Sequence, residues 1–150
     1  MFDRILVALD GPGAALLLPV AEGLARAHHA HLQLCCVVDP GYVLSEPDDG
    51  VPDAADETEY PAAATEQEEA DGLLRNAVAR LRAAGLEADG AVCPGDPVPA
   101  ILEAARQDGS GLILLGHRHR SWLGRLSAGS VCATLLERAS CPVLVVSAAG

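Results

Sequence analysis

Five short, mostly apolar runs recur along the chain, at residues 2–10, 31–39, 86–95, 111–116 and 141–147, and helix-length segments separate them. The first two, FDRILVALD and HLQLCCVVD, show no clean alternation of polar and apolar residues. Successive side chains of a strand point to opposite faces, so a strand that fails to alternate is covered on both, as in a parallel sheet. GLILLG and CPVLVVS are equally apolar, whereas LEADGAVCPG alternates better and reads as an edge or near-edge strand.

The intervening segments carry helical periodicity. Residues 14–29 repeat apolar positions three and four apart, with Pro19 expected to remove one interior hydrogen bond and kink the helix. Residues 62–84 put Leu73, Leu74, Ala77, Val78 and Leu81 on one face, and Gly85 stands where a C-terminal cap belongs. Residues 97–107 follow Asp96 as N-cap and Pro97 at the first helical position, and residues 130–139 form the last helix. Strands alternating with helices require right-handed parallel crossovers. The expectation is an α/β fold: a single doubly wound domain over 1–150, with a five-stranded parallel sheet in the order 3-2-1-4-5 and helices on both faces. Ligands of such sheets lie beyond the carboxyl ends of the strands where the order reverses, which puts Asp10 and Gly116 beside the crevice.

Half of the 150 residues are apolar, enough for one sizeable core. No run approaches the roughly 18 apolar residues of a membrane span, and Asp3 and Arg4 interrupt the place where a secretory signal builds its apolar segment. A cytoplasmic protein without membrane contact is expected. Five cysteines, Cys35, Cys36, Cys93, Cys132 and Cys141, form no C-x-x-C pair and no even framework, so they read as small core hydrophobes. The net charge of -11, with arginine as the only basic residue besides histidine, argues against nucleic-acid binding.

Charge is unevenly placed. Eleven acidic residues and no basic one lie between Glu46 and Asp71, so residues 40–60 read as an acidic loop, either disordered or folded over the crevice as a lid. From Gly109 to Leu136 no acidic residue occurs, while Arg118, Arg120 and Arg125 stand with His117 and His119. Gly116 leaves the fourth strand and Gly129-Ser130 opens the last helix. Unpaired amides and the positive end of the helix dipole make such a start an anion site, and glycine permits close approach. The plainer reading makes Gly116 a turn residue, Ser130 an N-cap and the arginines a solvated face. Asp10 either meets a ribose or adenine amine or caps its own turn.

Segment 116–131, GHRHRSWLGRLSAGSV, resembles the G-x2-G-x9-G-[S/T] loop of nucleotide-binding universal stress proteins: Gly116 matches, His119 replaces the second glycine, and Gly129-Ser130 falls at the right distance. The likeness covers the whole chain, through ILVALDG, VVD and CPVLVV. It implies ATP, or AMP or ADP, with Mg2+ as a further partner of the nucleotide. Asp10 and Val37 would border adenosine; Gly116, Arg118, His119, Gly129, Ser130 and Val131 would hold ribose and phosphates. It also implies a homodimer through the terminal strand, Pro142 to Val146, and a stress-related regulatory role toward some protein partner. His119 keeps its amide available to a phosphate if its φ is negative; a positive φ there distorts the cradle. The alternative is therefore a nucleotide-independent dimeric scaffold.

The chain lacks lysine, so it has no Walker lysine, and it shows no nucleophile elbow or paired crevice carboxylates. Slow ATP hydrolysis is the most catalysis to expect. His28, His29 and His31 straddle a helix end and a strand start without a spaced carboxylate or thiol, which disfavours a metal site.

Overall fold

In the computed structural model, which describes residues 2–9, 14–38, 52–117 and 128–147, β1 (Arg4–Leu9) is buried along its length after Arg4. Ile5, Val7 and Leu9 enter one core layer, and Leu6 and Ala8 enter the other. A strand whose side chains are buried on both faces occupies the middle of the sheet, which is why this run lacks alternation.

The remaining elements are α1 (Ala14–His28), β2 (His31–Val38), α2 (Pro52–Ala83), β3 (Glu87–Pro94), α3 (Pro97–Asp108), β4 (Leu112–His117), α4 (Ala128–Arg138) and β5 (Val143–Ser147). The five strands pair in parallel in the order β3-β2-β1-β4-β5, as the sequence predicts. Two layers cover the sheet. Leu17 and Ala21 of α1 join Leu74, Ala77 and Leu81 of α2 on one face, while Ile101 of α3 and Leu135 of α4 lie on the other. Each fully buried leucine or isoleucine contributes about 2 kcal/mol from burial.

α2 departs from expectation. It starts at Pro52, so residues 52–60, assigned above to an acidic loop, are helical. The acidic run read as loop, but Pro52 stands at the first helical position, which its fixed φ suits, and Asp53 follows in the first turn, where the helix dipole favours negative charge. Residues 40–51 lie outside the described residues, and the choice between lid and disorder with them.

The helix ends follow local chemistry. Gly85 adopts φ 88, with Gly85 N–H on the Arg82 carbonyl at 2.9 Å and Leu86 N–H on that of Leu81 at 3.0 Å, closing α2 as predicted. α1 ends differently, on His29 at φ 53, with the Ala30 amide bonded back to Ala25. Pro19 is accommodated without ending α1; both Pro19 and Ala15, whose carbonyl loses its partner, are exposed to water. Asp96 has N-cap backbone geometry but makes no side-chain cap bond. An N-cap side chain bonds the N2 or N3 amide, and here N3 is Pro99, which has none, so only that of Val98 is left to it.

Candidate functional site

The sheet order reverses at β1. β2 and β3 lie to one side, β4 and β5 to the other, so the carboxyl ends of β1 and β4 flank the point where connections diverge. The β1–β4 register runs to Ala8↔Leu115, leaving Gly116 one step beyond it, opposite Val146 of β5. On the other side the β1–β2 register is described to Leu9↔Cys36, whereas β2–β3 continues through Val37↔Cys93 to Val38↔Pro94. The carboxyl ends of β1, β2 and β4 therefore lie side by side at the switch point.

Gly116 is buried at the end of β4. A Cβ placed there would meet Leu17 of α1 and the Val146 carbonyl at 3.7 Å, which is ordinary contact. Val37 is 3% exposed, and its side chain shares a core layer with Ala8, Cys35 and Ile101. Its side chain is thus core.

Gly129, Ser130 and Val131 are the second to fourth residues of α4, which begins at Ala128 and so two residues before the expected start. No acidic residue lies in its first turn. The helix N-terminus thus offers backbone amides in the acid-free segment, the arrangement that suits an anion. Asp10, Arg118 and His119 lie outside the described residues.

The histidine triplet separates in space. His28 stacks edge-on against Phe2, with ring centroids 5.4 Å apart. His29 caps α1, and His31 Nε2 lies 2.8 Å from an Asp89 carboxylate oxygen. Arg82 Nη2 reaches the other Asp89 oxygen at 2.7 Å. These contacts, His31 foremost, hold the Asp89 carboxyl below its ordinary range.

Three residues escaped the sequence reading. Leu17 and Val146 flank Gly116, and Cys93 stands opposite Val37 with its Sγ 3.4 Å from that of Cys35. Apolar patterning marks the first two as core but carries no register, and 57 intervening residues hide the thiol pair. All five cysteines are thiols; Cys35, Cys36 and Cys132 are buried as expected, while Cys93 and Cys141 are half-buried.

The sequence model described as the universal stress protein family matches residues 1–147. The universal stress protein YxiE of Bacillus subtilis is 29% identical over 147 residues, covering 97% of this chain and 99% of its own. A universal stress protein solved in complex with cAMP shares the fold at a TM-score of 0.66 and 22% identity, covering 99% of this chain and 98% of its own. The universal stress protein of Archaeoglobus fulgidus in complex with dAMP gives 0.59 and 20%, covering 97% and 99%. Among the described residues no helix is long and apolar enough to cross a membrane.

Proposed function

The chain belongs to the universal stress protein family, and from that premise we propose that it binds an adenine nucleotide, ATP first among them, at the switch point beyond the carboxyl ends of β1 and β4. The observation that carries this reading is the placement of buried Gly116 at the switch point, in the same acid-free segment as the α4 N-terminus. Structures of the same fold bound to cAMP and dAMP support an adenine ligand.

In this reading the amides at Gly129 and Ser130 receive phosphate oxygens, with Arg118 and the His119 amide completing the cradle. Gly116 lets the ligand approach the backbone. Val37 contributes through its main chain at the adenosine end, and Asp10 accepts from ribose or adenine. Val131 lines the phosphate side. Mg2+ accompanying ATP neutralises phosphate charge there. The role that follows is sensing rather than turnover, with occupancy altering what a protein partner meets in the cytoplasm.

Titration calorimetry with ATP and Mg2+ on the intact chain tests it. Saturable heat is expected; none at millimolar nucleotide overturns the assignment and leaves the nucleotide-independent scaffold.

The second reading, a homodimer through Pro142 to Val146, is compatible with either outcome. β5 is an edge strand, and Leu144 is 39% exposed upon it, the kind of edge that invites pairing. Sedimentation at micromolar concentration is expected to show a dimer, and Leu144→Glu to shift it to monomer. A wild-type monomer defeats this reading.

A further inference from the structure

Cys35 and Cys93 are in contact through sulfur without standing opposite each other. The register pairs Cys35 with Ala91 and Cys93 with Val37, so the two thiols are diagonal neighbours, two residues out of step. Their sulfurs stand 3.4 Å apart, beyond the about 2 Å of a disulfide bond, and both are thiols. β2 is held on both sides by β1 and β3 and cannot readily slide. The pair is built as a hydrogen-bonded dithiol.

The two differ in access. Cys35 is 1% exposed. Cys93 is half-buried on edge strand β3 and lines a cavity of about 510 Å3 whose walls include Pro94, Asp96, Ala100, Glu103 and Gln107. Cys141 is a natural comparison: it too is half-buried and lines a cavity, of about 280 Å3. Burial raises the Cys141 thiol above its ordinary value. The hydrogen bond from Cys35 outweighs desolvation at Cys93 and brings its thiol down to about 7. Cys35 moves the other way, through the same contact and burial, and stays the protonated donor. A thiol poised near ambient pH attacks disulfides most effectively.

We propose that Cys93 is a thiol-modification site that accepts one half of a small disulfide entering the adjacent cavity, with buried Cys35 as its positioning residue. The Cys93 thiolate attacks one sulfur of R–S–S–R. The Cys93–S–S–R bond forms, the reagent's S–S bond breaks, and the leaving thiolate carries away the electron pair. The reagent is itself the oxidant, so the exchange needs no other. Cys35, buried and held protonated, is a poor nucleophile toward the adduct. Asp96 and Glu103 on the cavity wall favour cationic or uncharged disulfides over anionic ones, with Glu103 also engaging Arg106 and Gln107.

The test treats the reduced full chain at about pH 7 with cystamine, hydroxyethyl disulfide or oxidised glutathione, followed by intact mass and peptide mapping. The expected result is a first adduct on Cys93, forming about ten-fold faster with cystamine than with oxidised glutathione. Cys93→Ser loses it. Cys35→Ala slows it about ten-fold and raises the thiolate titration midpoint, while Cys35→Ser, which keeps a donor, restores most of the rate. A first adduct on Cys141, or a Cys35–Cys93 disulfide in place of an adduct, overturns the site. A folded Cys35→Ala variant with an unchanged rate and midpoint overturns the positioning role. Should that variant fail to fold, the pH profile of the wild-type rate decides: a midpoint near 7 supports the pair, and an ordinary thiol midpoint overturns it.

Discussion

Gly116 of β4 faces Leu17 of α1 across a space that a methyl group would fill at 3.7 Å, without a clash. Among the described residues nothing at this position sterically requires glycine. A glycine that packing does not require is free to serve a ligand, which separates stability from binding in one substitution. Gly116→Ala is expected to change stability by less than about 0.5 kcal/mol in urea titration. The same variant is expected to weaken ATP about ten-fold in calorimetry, a change of about 1.4 kcal/mol.

Gly90 shows the opposite relationship. A Cβ there would lie 3.2 Å from both Leu74 Cδ2 and Val78 Cγ2, so α2 packs down on β3 where a side chain is missing. Leu74 is buried and Val78 is stiff at χ1 within a helix. Gly90→Val is expected to cost about 2 kcal/mol by overpacking, read as a lower urea midpoint.

His29 ends α1 in the left-handed region, at φ 53, where a Cβ is unfavourable. Glycine fits that conformation without strain. His29→Gly is expected to raise stability by about 0.5–1 kcal/mol, partly offset by the larger entropy of the unfolded chain. A thermal melt that moves downward would contradict this account of the cap.

Asp89 gives the fold an acid-sensitive contact. His31 and Arg82 hold its carboxyl below the ordinary value, so the folded state favours the ionised form. The contribution is complete above the unfolded-state value of about 4 and is lost as pH falls through the lower folded-state value. Asp89 is 58% exposed, and solvent screening limits the effect to about 0.5 kcal/mol. Asp89→Asn is expected to lower the urea midpoint slightly at neutral pH, with the gap closing in acid as pH falls through the lowered folded-state value. A gap independent of pH would locate the effect in packing.

The sequence by itself determined the elements and their layering, because apolar runs and helical spacing are local records of what each segment buries. ILVAL without alternation placed β1 in the middle of the sheet, and Gly85 marked the end of α2 through the conformation its residue type permits. Local signals failed where they competed: the acidic run before residue 61 read as loop although Pro52 opens α2, and Asp96 has the residue type of a cap but makes no side-chain cap bond. Only the tertiary structure decided which residues meet across strands. That Gly116 has room for a methyl beside Leu17, that the Val37 side chain is core, and that Cys93 lies diagonally against Cys35 all depend on register and layer spacing. Those quantities arise from long-range packing, which no stretch of neighbouring residues encodes.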